Sequence, residues 1–291
     1  MSFNSTFDRY YYDLDMRLYS GFTVTFVEGL GEVGFDVHGR RDFEYISSEL
    51  FPRFKADGLM MYGEGARFDD RKYRLNSPVV SCTQKQITVP LGLTVYARTT
   101  AAICRADAAN LDLMQKGVMN YNDEWAYFAR TLGVAFVPVT LDGTVFLGQR
   151  VSKLYSGYLN CAAGNSEFHG TPRFSRFFNQ AVVELREEFG SCLSVAGGAR
   201  FAGIASNVPA GDGDCVWIGR VPVRDSYFLQ GEWLSLRSDA EHGKGLVAIR
   251  SLCERDELVS LLSCRGQTFP GMMASTRLGL ESLGATDFEK W

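Results

Sequence analysis

The sequence has few of the residues that build metal centres from nitrogen and sulfur. Among 291 residues there are 3 histidines and 7 cysteines, and no two cysteines are spaced as Cys-x-x-Cys. The histidines lie far apart in sequence, and scattered cysteines in odd number are typical of reduced thiols. We therefore expect a cytoplasmic protein with neither structural disulfides nor a zinc site.

Long apolar runs are also missing. No segment reaches the roughly 18 apolar residues that a membrane helix needs, and MSFNSTFDRYYYDLDMR (residues 1–17) lacks the basic and apolar regions of a signal peptide. A formal net charge of −4 predicts no broad basic surface, so neither nucleic acid nor a membrane is expected as a partner. Composition does not predict the oligomeric state.

Apolar and aromatic residues are numerous enough to form a large core. The hydrophobic fraction is 46%, with 21 Phe and 13 Tyr. The pattern indicates two domains, an N-terminal α/β domain over 1–128 and a second domain over 129–291. In the first domain, strands are predicted within 20–37 and 78–98, and helices over 42–57 and 106–131, the latter broken at Gly117.

The second domain begins with the clearest local signal. Residues 133–152, GVAFVPVTLDGTVFLGQRVS, predict a β-hairpin with its turn at Asp142-Gly143. A Gly-bearing loop, a glutamate-rich helix, two strands (201–209 and 214–223) and two helices (251–263 and 271–284) are predicted to follow. This order is that of a mixed α/β fold, with a mixed sheet between helices.

The glutamate-rich helix carries the candidate chemistry. In VVELREEFGS (182–191), Glu184, Glu187 and Glu188 are spaced i, i+3, i+4 and share one helical face. Like charges at this spacing cost a few tenths of a kcal/mol each, which a hard cation such as Mg²⁺ would reverse. The alternative is an ordinary solvated face on which Arg186 partners a glutamate.

A hairpin, a Gly-bearing loop and a helix reading ELxEExG together resemble the Nudix hydrolase family, whose box is GX5EX7REUXEEXGU, with U a bulky aliphatic residue. The second half of the box matches at Glu184, Leu185, Glu187, Glu188 and Gly190. The sequence departs from the box at its first glycine (His169), first glutamate (Ser175), arginine (Val183) and last aliphatic residue (Ser191).

The likeness is greater to the branch of this family that cleaves UDP-glucose, which also lacks the box arginine. It rests on KYRLNSPVV (72–80), LGLTVY (91–96) and the stretch 132–164. The resemblance implies a Nudix α/β/α sandwich after a smaller N-terminal domain. It also implies Mg²⁺- or Mn²⁺-dependent hydrolysis of a nucleotide substrate, a UDP-sugar, to UMP and a sugar phosphate. The rival activities are cleavage of ADP-ribose or a dinucleotide, and nucleotide sensing without catalysis.

The resemblance also implies roles for individual residues. Metal ligands would be Glu184, Glu187, Glu188 and the backbone of Gly164, which ends the loop where the family has Pro-Gly-Gly, with Glu167 a substitute for the carboxylate missing at Ser175. Catalytic candidates are Glu187, Glu188 and Glu241, with His242 as a second candidate base. Substrate contacts are assigned to Arg150, Lys153, Arg74 and Tyr96, with Tyr73 beside them. The alternatives are a surface salt bridge for Arg150, an exposed loop position for Glu241 and core positions for the tyrosines.

Overall fold

The structure is a computed structural model. It describes residues 23–28, 71–75, 79–81, 86–95, 107–122, 125, 128, 130–152, 156–170, 172–207, 212–263 and 272–288. The predicted helix over 42–57 lies outside these residues.

The N-terminal part contains one described sheet and one described helix. The strands are β1 (Thr23–Glu28), β2 (Arg71–Leu75), β3 (Val79–Ser81) and β4 (Gln86–Val95). Strand β4 pairs in parallel with β1 and antiparallel with β2 and β3, which confirms the predicted strand pair over 78–98. Helix α1 (Asp107–Tyr121) runs through Gly117, so the predicted break there is wrong. A single glycine costs a helix only about 1 kcal/mol.

The second described sheet has seven strands. They are β5 (Leu132–Val139), β6 (Val145–Arg150), β7 (Leu159–Asn160), β8 (Ala162–Asn165), β9 (Ala196–Asn207), β10 (Asp212–Arg220) and β11 (His242–Ile249). The path is β11-β6-β5-β10-β9, with β7 beside β6 and β8 beside β5. Strands β5 and β10 are parallel and the other described pairs are antiparallel, so the sheet is mixed and the predicted hairpin is confirmed.

Helices cover both faces of this sheet. They are α2 (Phe174–Phe189), α3 (Asp225–Leu229), α4 (Trp233–Leu236), α5 (Leu252–Ser263), α6 (Ala274–Ser282) and α7 (Ala285–Phe288). Every residue of β5 is buried. Alternate side chains belong to two separate clusters, Val134 and Phe136 with Leu185 of α2, and Ala135 and Val137 with Leu278 of α6.

These layers confirm the predicted mixed α/β fold, a sheet packed between helices. The predicted glutamate helix and the helices within 251–263 and 271–284 are also confirmed. Among the described helices, none combines the length and the apolar character needed to cross a bilayer.

Strand β2 joins the core beneath α2. Tyr73 and Leu75 are 4% and 3% exposed and belong to the cluster that contains Leu185. The amide of Leu75 donates to the carbonyl of Arg130, and the Tyr73 hydroxyl donates to the carbonyl of Gly170. A strand that precedes residue 128 therefore covers part of the second sheet's core, while the division at that residue stays a prediction.

Candidate functional site

The ends of helix α2 and its buried face decide where its glutamates point. The helix begins after Pro172 and the extended residue Arg173. Its buried face consists of Phe177, Ala181, Leu185, Glu188 and Phe189. The helix ends at Gly190, whose φ of 128° is a conformation that favours glycine. Because its apolar neighbours face the sheet, Glu188 is carried inward, whereas Glu187 is exposed.

Glu188 is a buried carboxylate with an unpaired oxygen. The residue is 2% exposed; its Oε1 accepts a long hydrogen bond of 3.5 Å from the amide of Ala163, and its Oε2 has no hydrogen-bond partner within the described ranges. Burial raises the pKa of Glu188 well above its usual range, and the charges of Glu241 and Glu184 raise it further. Arg150 and the Ala163 amide act in the opposite direction.

Glu184 lies one turn earlier, against the loop glycine Gly164. A Cβ atom on Gly164 would collide with the Glu184 carboxyl group, so only glycine allows this approach. The side-chain amide of Gln180 donates to Oε1 of Glu184 at 2.7 Å. Burial raises the pKa of Glu184 to about 7, against the effect of this hydrogen bond and with contributions from neighbouring acids, Glu187 first.

Glu241 and Arg150 complete the charged part of the cluster. Glu241 immediately precedes β11, and its Oε2 lies 2.6 Å from Nη2 of Arg150 at the end of β6. Burial raises the pKa of Glu241, while Arg150 opposes the rise. Since the charge of Glu241 also raises the pKa of both Glu184 and Glu188, the three carboxyl groups form one electrostatic unit.

His242 lies directly against this unit. Its side chain is fully buried, and its Nδ1 lies 3.4 Å from Oε2 of Glu188. Neither ring nitrogen makes a hydrogen bond with the described part of the chain. The ring packs on that of Phe189 with centroids 4.9 Å apart, and a Cβ atom on Gly148 would meet the imidazole at 2.5 Å from its Cγ.

Burial, together with the charges of Arg150 and Arg237, lowers the pKa of His242 to about 3, so the imidazole is neutral. Sequence patterns gave this residue only as a second candidate base. The position of His242 follows from strand register, because β11 begins at His242 and pairs this residue with Arg150 of β6. Gln180 and Asp239, which also act on Glu184, were not among the predicted residues.

The structure brings together five of the predicted site residues: Glu184, Glu188, Glu241, Gly164 and Arg150. Glu187 stands at the edge of the group; its carbonyl accepts from the amides of Ser238 and Asp239, and its charge acts on Glu184. Glu167 is exposed, with its Oε2 3.7 Å from Nε2 of His169.

Arg74 and Tyr73, which were also predicted near the substrate, make contacts elsewhere in the described part of the chain. Arg74 is 4% exposed, and its guanidinium donates to the carbonyls of Phe128 and Trp125. Tyr73 belongs to the core, as the alternative for the tyrosines held. Lys153 and Tyr96 lie outside the described residues.

The cluster offers the carboxylate oxygens that hard cations prefer as ligands. Its side chains are not arranged around a single metal position. In the part of the chain that the structure describes, no three His, Cys, Asp or Glu side chains converge as ligands of one metal ion. The buried Oε2 of Glu188 is nevertheless an acceptor without a donor. Carboxylate oxygens that raise one another's pKa are stabilised by a nearby cation, and such oxygens are the ligands of Mg²⁺.

Comparisons with known proteins give structural neighbours only. No family profile matches the chain, and no curated protein matches it. One neighbour is the crystal structure of Tm1382, described as a candidate Nudix hydrolase, with 13% identity, a TM-score of 0.33, and coverage of 72% of this chain and 89% of that one.

Two further structural neighbours have similarly low identity and TM-scores. A Nudix hydrolase from Nitrosomonas europaea shows 18% identity and a TM-score of 0.26, covering 41% of this chain and 70% of that one. The E. coli ORF135 protein shows 17% identity and a TM-score of 0.28, covering 52% of this chain and 88% of its own. At such TM-scores the assignment of function depends on the side chains of the cluster.

Proposed function

We propose that the protein is a metal-dependent hydrolase of the Nudix type that cleaves the diphosphate bond of a nucleoside diphosphate derivative. The observation that carries the proposal is a cluster of the buried carboxyl group of Glu188 and the half-buried carboxyl groups of Glu184 and Glu241, against the loop glycine Gly164. Withdrawing three neighbouring acids wholly or partly from solvent is costly unless a cation joins them. The match of the α2 sequence to the second half of the Nudix box supports the same chemistry.

In this proposal Glu184, Glu188 and the backbone of Gly164 hold Mg²⁺ or Mn²⁺, with Glu187 as a further ligand or base at the exposed edge. The bound ion supplies neutralisation of the diphosphate charge and lowers the pKa of the attacking water. Helix α2 directs Glu188 toward the core, which keeps its ligand oxygens away from bulk solvent. Electrostatic interactions are stronger in this environment than in water.

Glu241 is the proposed general base. Burial raises the pKa of its carboxyl group above the usual value, which brings it closer to neutral pH, where a base accepts protons most effectively. Arg150 limits that rise through its ion pair and supplies the positive charge that faces the substrate phosphate. Water attacks one phosphorus, the bridging oxygen leaves with the other phosphate, and the proton of the water passes to Glu241.

The proposed substrate is a UDP-sugar such as UDP-glucose, giving UMP and a sugar 1-phosphate. Support comes from the resemblance of residues 72–80, 91–96 and 132–164 to the UDP-glucose-cleaving branch. Lys153 and Tyr96 remain candidates for contacts to phosphate and base. Arg74 is not included, because its guanidinium is engaged with main-chain carbonyls beneath the surface. We place the protein in the cytoplasm, acting on a small molecule rather than on nucleic acid or membrane.

A second function is favoured by one observation. Because the described residues contain no closed set of three metal ligands and Ser175 stands where the box has a glutamate, the domain is alternatively a nucleotide sensor without catalysis. ADP-ribose or dinucleotide cleavage is the alternative within the same chemistry, and it would release a purine nucleotide.

The test is phosphate release from a panel of nucleoside diphosphate derivatives, coupled to a phosphatase that acts only on the monoester products. Wild type, Glu188→Gln and Glu257→Gln are compared with Mg²⁺, with Mn²⁺ and with chelator. Glu257 is exposed on α5, so its variant is a matched control for the loss of one glutamate charge. Metal-dependent release of UMP that only Glu188→Gln loses is expected. No release from any substrate, with a nucleotide still raising the Tm, would instead identify a sensor.

A further inference from the structure

We infer that His242 is a positioning residue for Glu188: its Nδ1–H donates to Oε2 of the carboxyl group and fixes the orientation from which Glu188 binds the divalent cation. The inference rests on the proposed function, because it concerns the same carboxylate. It adds a residue that lies outside helix α2 and outside the box sequence.

The first support is the state of the two atoms. Nδ1 of His242 and Oε2 of Glu188 are 3.4 Å apart, both side chains are almost completely buried, and neither atom has another hydrogen-bond partner among the residues that the structure describes. Buried polar atoms are nearly always paired. An imidazole with its proton on Nδ1 is a donor and a carboxyl oxygen is an acceptor, so the two side chains can satisfy each other.

The second support is that the imidazole is fixed in place. It lies on the ring of Phe189, and Gly148 leaves no space between the β6 backbone and the ring. The main-chain carbonyl of His242 accepts from the guanidinium of Arg237, and the register of β11 pairs His242 with Arg150. A donor held on all these sides can impose an orientation on its partner.

The third support is that Glu188 has little else to orient it. Its Oε1 is held only by the 3.5 Å contact with the amide of Ala163, at the limit of hydrogen bonding. Hydrogen bonds to the far side of metal ligands typically contribute about 10–100-fold to metal affinity. Removal of the donor on His242 should therefore weaken metal binding while leaving every ligand in place.

The experiment measures Mn²⁺ binding to the full chain by electron paramagnetic resonance, without substrate. His242→Phe keeps a ring on Phe189 but has no donor. His242→Asn places an amide N–H near the position of Nδ1, whereas His242→Gln places it near Nε2. We expect a Kd about 10–100-fold weaker for His242→Phe and for His242→Gln, with most of the affinity recovered in His242→Asn. In a Glu188→Gln background, His242→Phe should have no further effect.

The outcomes separate the two proposals. If wild type binds Mn²⁺ and His242→Phe, folded by its Tm, binds it equally well, the positioning role is overturned and the proposed function stands. If His242→Phe does not fold, equal affinities for the Asn and Gln variants overturn the role in the same way. If wild type binds no Mn²⁺, the proposed function itself fails.

Discussion

Replacing Glu184 with glutamine is expected to stabilise the metal-free protein above pH 7 and to have little effect near pH 4.5. Burial raises the pKa of Glu184 from 4.5 to about 7 in the folded chain. Between these values the folded state binds the proton that the unfolded state has released. The stability of the wild type therefore falls as the pH rises through this range, and glutamine, which does not titrate, removes that loss.

The magnitude follows from the shift. Each pKa unit corresponds to about 1.4 kcal/mol, so a rise from 4.5 to about 7 gives at most about 3 kcal/mol at pH 8. Because Glu184 is only half-buried, solvent screening reduces the expected gain to about 1–2 kcal/mol. For a chain of this size that is roughly 2–8 °C in Tm. Glutamine fits the position, since its side-chain oxygen can still accept from the amide of Gln180.

The assay is thermal unfolding followed by tryptophan fluorescence, in chelator, at several values between pH 5 and pH 8. Trp217 and Trp233 are buried in the core beneath α2 and report its loss. The quantity to compare is the Tm of Glu184→Gln minus the Tm of wild type at each pH. This subtraction cancels the contribution of titratable groups that both proteins share. The difference should grow with pH, and Glu257→Gln, which replaces an exposed glutamate on α5, is the matched control. A difference that does not change with pH, or that shrinks as the pH rises, would refute the burial argument.

Three further predictions follow from contacts around the cluster. Gly148→Ala should lower stability by about 1–3 kcal/mol and weaken Mn²⁺ binding, because its Cβ overlaps the His242 ring; an unchanged Kd would contradict this. Arg150→Met removes a charge that lowers the pKa of Glu188, a proposed metal ligand, and should move the pH midpoint of Mn²⁺ binding upward, which titration from pH 6 to pH 8.5 would detect. Asp225→Ala, which deletes the acceptor of two threonine hydroxyls at the hairpin turn, should cost about 1–3 kcal/mol in urea unfolding and leave the Mn²⁺ Kd unchanged.

The sequence predicts best those parts of the fold that depend on local pattern. The hairpin follows from Asp142-Gly143 between two apolar runs, and its observed turn contains Gly143 with φ of 82°. Helix α2 follows from its apolar period of four and its terminal glycine. The break expected at Gly117 failed because a helix tolerates a single buried glycine at modest cost.

The spacing of residues along a helix predicts only part of the site. Glu184 and Glu188 were found because they lie one turn apart on α2, and Glu241 because of the family's loop. The place of His242 beside Glu188 depends on the register of β11 against β6, which no local pattern specifies. Arg74 shows a related limit, because a guanidinium on a strand can reach buried main-chain carbonyls as readily as a phosphate.

The parallel pairing of β5 with β10 determines when this cluster can exist during synthesis of the chain. Strand β6 follows β5 directly and can pair with it within microseconds, but β10 pairs Gly213 with Leu132 only after α2 and β9 have been made. Until then one edge of an entirely buried strand is exposed, a state prone to aggregation. Glu241 and His242 follow later still, so a nascent chain carries the acidic helix without the groups that complete its cluster.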